Sequence, residues 1–213
     1  MIRFIYPLFM TFVIGQRLIE TYSLPKRKGG EIYQPHTLTV LTLLHLACMI
    51  GSIVEFYGLA RHRGIVLSVS ALGFVLYMGA LLLRNWAKYT LGQFWSLQVE
   101  ILPGHRIIRE GPYQFVRHPA YTAIMMEIIG IPLVANAYWT FIFFSIPYLF
   151  VLIWRVRVEE RALARVAGSS YVRFQQEVPQ FLPFFPLRQF RDVRSSSEPV
   201  QSENIDSAEN KKS

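Results

Sequence analysis

The segment that decides the fold is Gly111-Pro112-Tyr113-Gln114-Phe115-Val116-Arg117-His118-Pro119-Ala120-Tyr121, a polar and basic stretch between long apolar runs. Each proline fixes its own φ and disfavours the α region for the residue before it, which predicts a constrained, mostly extended loop up to His118. Pro119 suits the first turn of a helix, where its missing N–H is not needed. Arg117, His118 and Tyr121 are then expected at a helix N-terminus, a place that favours an anion. The alternative is a basic membrane anchor with an interfacial tyrosine.

The composition is that of an integral membrane protein. Apolar residues make up 52% of the chain and charged residues 17%, and the apolar residues occur in long blocks. The net charge of +8 does not indicate nucleic acid, because the basic residues flank apolar blocks. Cys48 is the single cysteine, so an internal disulfide is excluded and we expect no metal site.

The apolar blocks predict an all-α membrane protein with about five transmembrane helices. The expected spans are Met1–Ile19, about Thr37–Ala60, about Ile65–Leu83, and two arms within Tyr121–Trp154. The first span lacks a small-residue cleavage site and is interpreted as a retained helix. The last block would be ~50 Å long as one helix, so Pro132 and Asn136 predict two short helices in a hairpin.

Three ionisable residues lie inside these blocks, where such groups normally face the bundle interior. For His45 we expect a hydrogen bond to a neighbouring helix. Glu55 lies near the end of its helix, and a position in the headgroup region is an alternative. Glu127 requires a partner or a water-lined cavity.

The remaining segments are polar. The interval from Arg84 to His118 contains turn signals and aromatic residues typical of a membrane interface. After Trp154 a charged helix should leave the membrane, with Gly168 as a C-terminal stop. Ser169 and Ser170 are then expected to cap a short helix through Glu177. We therefore expect one membrane domain over residues 1–190, and a disordered Ser-, Glu- and Lys-rich tail over residues 191–213.

The basic residues also predict the orientation. With five crossings and a cytoplasmic C-terminus, nearly all of the 22 Lys and Arg residues lie inside. Only Arg3, Arg61 and Arg63 then lie outside. This arrangement places the loop before Pro119 and the helix after Trp154 on the same cytoplasmic face.

Five side chains are thereby expected in one cytoplasmic site: Arg117, His118, Tyr121, Glu159 and Glu160. A carboxylate suits a ribose diol, and an Arg/His pair suits a carboxylate, a combination that fits S-adenosylmethionine. Adjacent glutamates are about 100° apart on a helix, so only one is expected to point fully into the site. The other is expected to pair with Arg155 or Arg157.

These motifs resemble the isoprenylcysteine carboxyl methyltransferase family. The resemblance rests on Gly111-Pro112-Tyr113, Arg117-His118-Pro119, Tyr121, Arg157-Val158-Glu159-Glu160, Leu163 and Tyr171, and it covers roughly residues 102–185. It implies a polytopic enzyme that methylates a lipophilic acceptor with S-adenosylmethionine, in which Tyr113 joins the five residues above in lining the cofactor pocket. Ala123 stands where many relatives have glycine.

The acceptor is predicted from weaker strings. Gln16-Arg17-Leu18-Ile19-Glu20, Leu102-Pro103-Gly104 and Trp139-Thr140 resemble a small bacterial branch that O-methylates alkylpyrones and alkylresorcinols. Such an acceptor must lose a proton, and His118 is the candidate general base. The alternative acceptor is a prenylcysteine carboxylate, which needs no base and which Arg117 would orient.

Two other classes of protein fit part of the pattern. Membrane reductases of the sterol type carry a string similar to Arg117-His118-Pro119-Ala120-Tyr121 and use NADPH, but the Glu159-Glu160 continuation argues against them. A non-catalytic lipid-binding protein is disfavoured because the charged residues of both motifs are present. Among the partners, a lipophilic small molecule and the bilayer are expected, and a bacterial cytoplasmic membrane is favoured over the endoplasmic reticulum.

Overall fold

The computed structural model describes residues 2–22, 31–33, 35–58, 64–92, 99–101 and 108–181. The described helices are α1 (Ile2–Tyr22), α2 (Pro35–Gly58), α3 (Leu67–Leu91), α4 (Pro119–Ala135) and α5 (Tyr138–Glu177). The strands are β1 (Glu31–Tyr33) and β2 (Val99–Ile101). The predicted disordered tail and the connection Arg61–Arg63 lie outside the described residues.

Among the described residues, three helices are long and apolar enough to cross a membrane: residues 36–58, α3 and α5. Helix α4 is also apolar but has only 17 residues. The helical membrane class is therefore confirmed for the described chain, which is a multi-pass membrane protein. Crossings by α1 and α4, and hence the total of five, stay a prediction.

Helix α3 is longer than the sequence indicated. We expected it to end at Leu83, but it continues to Leu91 and ends at Gly92, whose φ of +51° closes the helix. The sequence predicts Arg84 in a polar interval, but the residue lies buried on this helix, with its guanidinium paired with Glu20 and Glu127. Because that pairing compensates the charge, the helix does not have to end where the first arginine occurs.

Helices α3 and α4 are antiparallel and pack closely through two glycines. A Cβ on Gly73 would lie 2.5 Å from the backbone nitrogen of Val134, and one on Gly130 would lie 2.8 Å from the carbonyl oxygen of Gly73. Side chains tilt toward the N-terminus of their helix, so Arg84 and Glu127 on the two antiparallel helices extend toward each other. The close crossing therefore builds the ion pair into the helix interface.

The predicted hairpin between α4 and α5 is confirmed, although Pro132 remains inside α4 and the break comes at Asn136. Asn136 adopts a left-handed conformation with φ 54°, and its amide nitrogen donates to the Ser70 hydroxyl at 2.7 Å. Glu55 is buried and accepts hydrogen bonds from the first N–H groups of α5, from Trp139 at 3.2 Å and Thr140 at 2.8 Å. Glu55 thus caps the start of α5 from a buried position on α2.

Helix α5 connects the membrane part to the charged C-terminal segment. Its residues Phe141–Ser145 are π-helical, and the regular helix Ile146–Glu177 follows. Gly168, expected to end the helix, adopts φ 56° and forms a kink, after which the helix resumes. The antiparallel pairing of β1 with β2 joins the segment before α2 to the segment after α3. The all-α prediction did not include this two-stranded ribbon.

Candidate functional site

The loop before α4 begins with a tight turn and not with an extended segment. Residues Gly111–Gln114 form a 3-10 helix, in which the N–H of Tyr113 donates to the Glu110 carbonyl at 3.1 Å. Gly111 permits this turn because its φ is +55°. A Cβ there would collide with the Thr90 hydroxyl on α3, so the turn also packs directly on the end of that helix. The prediction of a mostly extended loop is therefore wrong for the first half.

The second half of the loop is held by the chain that follows α5. The N–H of Arg117 donates to the Pro179 carbonyl at 2.8 Å, and the N–H of His118 donates to the Gln180 carbonyl at 3.1 Å. His118 has φ −126° and precedes Pro119 at the first position of α4, as predicted. The backbone therefore fixes where both side chains start.

Arg117 and His118 converge on Glu160. The Nε of Arg117 donates to Glu160 Oε1 at 2.9 Å, its Nη2 lies 2.8 Å from the same oxygen, and His118 Nε2 lies 3.0 Å from it. Arg117 Nη1 also donates to the carbonyls of Gln175, at 2.9 Å, and Val178. These bonds use most of the five N–H donors of the guanidinium. Arg117 thus ties the loop to α5 and orients Glu160.

Tyr121 and Glu159 form the adjoining half of the site. The Tyr121 hydroxyl donates to Glu159 Oε2 at 2.6 Å. Arg155 is buried, and its Nε donates to the Tyr121 oxygen at 3.1 Å while its Nη1 donates to the Thr37 hydroxyl at 2.7 Å. The site therefore reaches from α5 through α4 to the start of α2.

Both glutamates point into this site, so the prediction that only one would do so is wrong. Glu159 contacts Tyr121, and Glu160 contacts Arg117 and His118. A glutamate side chain is long enough to compensate for an angular separation of about 100° on the helix. Arg155, expected as a glutamate partner, donates to Tyr121 and Thr37, which lie on two other helices and could not be identified from the local sequence.

Tyr113 lies close enough to this cluster to sense its charge. Burial raises the pKa of the Tyr113 phenol above its ordinary value, and the negative charge of Glu159 raises it further. The phenol is therefore neutral at physiological pH and available as a hydrogen-bond donor. Direct contacts thus join Arg117, His118, Tyr121, Glu159 and Glu160 in one cluster, and Tyr113 lies within electrostatic range of Glu159.

A second polar cluster lies inside the helical bundle around Glu127. Glu127 is fully buried and pairs with Arg17 and Arg84, which confirms that it needs partners. His45 Nε2 lies 3.9 Å from Glu127 Oε1, too far for the interhelical hydrogen bond we expected of this residue. Within the described ranges no group of three or more His, Cys, Asp or Glu side chains has a metal-binding arrangement.

The comparisons with known proteins agree with the motifs. The sequence model of the isoprenylcysteine carboxyl methyltransferase (ICMT) family matches residues 71–165. The protein-S-isoprenylcysteine O-methyltransferase B of Arabidopsis thaliana is 31% identical over 147 residues, which cover 63% of this chain and 68% of that protein. The chain belongs to the ICMT family. It is therefore a membrane methyltransferase, and the reductase alternative is set aside.

Bacterial proteins are also similar to this ICMT-family chain. The uncharacterised protein YpbQ of Bacillus subtilis is 30% identical over 135 residues, covering 63% of this chain and 76% of that protein. The methanethiol S-methyltransferase of Crocosphaera subtropica is 29% identical over 72 residues, covering 34% of this chain and 27% of that protein. The acceptors of such relatives thus differ between oxygen and sulfur.

Proposed function

We propose that this ICMT-family protein transfers a methyl group from S-adenosylmethionine to the carboxylate of a lipophilic, prenylcysteine-like acceptor. The observation that carries the proposal is the convergence of Arg117, His118 and Tyr121 on Glu159 and Glu160. The prenylcysteine methyltransferases among the relatives support the carboxylate. With the five crossings predicted from the sequence, nearly all basic residues would lie on the side of this site, which supports a cytosolic cofactor. The similarity to bacterial proteins supports a bacterial cytoplasmic membrane.

The donor set of the site fits the cofactor. A carboxylate has about four lone-pair positions, and in Glu159 the Tyr121 hydroxyl occupies one of them, so a ribose diol can be accepted as well. The Tyr113 phenol adds a neutral donor. Since most donors of Arg117 are bound to Glu160 and to backbone carbonyls, its proposed role is to position Glu160 and His118 and not to bind the acceptor itself.

Bound S-adenosylmethionine would supply an electrophilic sulfonium methyl group: the acceptor oxygen would bond to the methyl carbon as the carbon–sulfur bond breaks, and neutral S-adenosylhomocysteine would leave. The protein contributes position and a dry environment for that oxygen. A carboxylate is already ionised at neutral pH and needs no base. This fits the geometry of His118, which is buried and directs its Nε2 at Glu160.

One contact favours a second candidate, a phenolic or enolic acceptor of the alkylresorcinol or alkylpyrone type. A carboxylate that accepts Nε2–H from His118 stabilises the imidazolium, as in nucleophile–base–orienter arrangements. Nδ1 is then the nitrogen that takes the acceptor proton. In that case His118 is a general base and Glu160 its orienting partner.

The two acceptors leave products that differ in stability to alkali. The purified protein is incubated with tritium-methyl S-adenosylmethionine and either N-acetyl-S-farnesylcysteine or 5-pentadecylresorcinol. A methyl ester releases tritiated methanol in base, whereas an aryl methyl ether does not. We expect base-labile label with the farnesylcysteine compound, lost in Glu160→Gln and retained in the surface control Glu177→Gln. Base-stable label with only the resorcinol would support the phenolic or enolic acceptor instead of the carboxylate. No label with either compound would refute the proposed methyltransferase function.

A further inference from the structure

A charge network of four helices lies deeper in the bundle than the site just described. Arg17 and Glu20 come from α1, Arg84 from α3 and Glu127 from α4, with His45 of α2 beside them. Along α4, Glu127 follows Tyr121 by six residues, a rise of ~9 Å from the cofactor site toward the bundle interior. Ionisable groups at such a depth are expensive and usually mark a ligand site.

The two carboxylates of the network are held differently. Glu127 is fully buried between both arginines, whereas the side chain of Glu20 is 26% exposed at the edge of the cluster. Glu20 Oε2 lies 3.1 Å from Arg17 Nη1 and 3.0 Å from Arg84 Nη1, so its carboxylate bridges the two guanidinium groups. Glu127 is thus a fixed partner, and Glu20 is a replaceable one.

Glu20 supplies one of the two carboxylates that pair with Arg17 and Arg84. Withdrawal of Glu20 therefore removes negative charge from beside two guanidinium groups, of which that of Arg84 is almost fully buried. An acidic oxygen from outside the chain replaces the charge of Glu20 and can bridge the two guanidinium groups as Glu20 Oε2 does.

His45 is a second, independent sign of a ligand. The residue is more than nine-tenths buried, and within the described part of the chain its Nε2 has no hydrogen-bond partner. A buried polar atom left unpaired is unfavourable, so an oxygen that reaches the network would also satisfy this nitrogen.

We infer that this network is a second polar subsite, which binds the acidic oxygen of the lipophilic acceptor by displacing Glu20 from Arg17 and Arg84, and from which that oxygen moves to the cofactor site for methyl transfer. The chemical class of the ligand rests on the proposed function. The subsite takes an ionised oxygen carried on an apolar tail, whether the source is a carboxylic acid or an acidic phenol.

The test measures binding without S-adenosylmethionine. Full-length protein in detergent is titrated with N-acetyl-S-farnesylcysteine and with its neutral carboxamide; a parallel arm uses 5-pentadecylresorcinol and its dimethyl ether. We expect the acid of one pair to bind about tenfold or more tightly than its neutral partner. Glu20→Gln should tighten binding of that acid roughly tenfold without changing the neutral compound, because the internal competitor is gone. Glu20→Asp retains the charge and should remove most of this gain.

Glu177→Gln is the matched control, since it removes one carboxylate from a partly exposed pair with Arg109. Equal binding of acid and neutral compounds in both arms, or an affinity for the acid that Glu20→Gln does not raise, would overturn the subsite. Cofactor binding is measured separately on the same samples. Charge-selective binding without cofactor binding would refute the proposed function alone, whereas cofactor-dependent methyl transfer with charge-indifferent acceptor binding would refute the subsite alone.

Discussion

Neutralisation of Glu127 should destabilise this protein more than any surface charge change. In Glu127→Gln the guanidinium groups of Arg17 and Arg84 lose their fixed partner inside the bundle. Loss of one member of a buried ion pair costs about 3–5 kcal/mol. For a domain of this size each kcal/mol lowers the melting temperature by about 2–4 °C, which gives a fall of roughly 6–20 °C.

The assay is thermal unfolding of purified protein in detergent, at matched scan rates because membrane proteins often unfold irreversibly. Glu177→Gln serves as the control. It removes a partly exposed ion pair with Arg109, and the expected loss in the free energy of unfolding is below about 1 kcal/mol. In the double variant Glu127→Gln with Arg84→Gln, Arg17 and Glu20 remain as one pair of opposite charges. The loss in the free energy of unfolding should therefore be about 0.5–3 kcal/mol smaller than the sum of the losses in the two single variants.

If the melting temperature of Glu127→Gln falls no further than that of the control Glu177→Gln, the reasoning is refuted. Strict additivity in the double variant would also contradict it, because the two residues would then act independently.

Three further predictions concern the loop, the histidine and the topology. Gly111→Ala should lower the melting temperature and weaken S-adenosylmethionine binding, since it strains a positive φ and collides with Thr90, whereas Gly15→Ala, with open space around it, should do neither. His118→Ala should retain cofactor binding. With a phenolic acceptor its turnover should fall roughly 10²–10⁴-fold and be partly rescued at high pH, because the acceptor then ionises without a base. With a carboxylate acceptor, which is already ionised, no such rescue is expected. A C-terminal reporter should be active only in the cytoplasm, and activity on the outer side would contradict the orientation.

Local sequence rules predicted those parts of the fold that depend on neighbouring residues. The helix start at Pro119, the hairpin break at Asn136 and the backbone change at Gly168 all follow from proline, glycine and asparagine chemistry. The membrane class followed from long apolar blocks. The paired motifs predicted the family, since both carry residue types that recur in order.

Features that depend on distant partners were not predictable in this way. Arg84 looked like the start of a loop because its partners Glu20 and Glu127 lie on two other helices. The engagement of Glu159 depends on Tyr121, and Glu55 is explained only by the start of α5, more than eighty residues away. Local periodicity contains no information on such contacts.

The most direct test of the proposed site is equilibrium binding of radiolabelled S-adenosylmethionine to the purified protein and to Glu160→Gln. Glu160 holds both Arg117 and His118, so its neutralisation should loosen the loop and weaken binding roughly ten- to a hundredfold. We predict saturable binding to the unaltered protein and to Glu177→Gln, and this loss in Glu160→Gln. Equal binding by all three proteins, or no binding by the unaltered one, would contradict the assignment of the cofactor to this site.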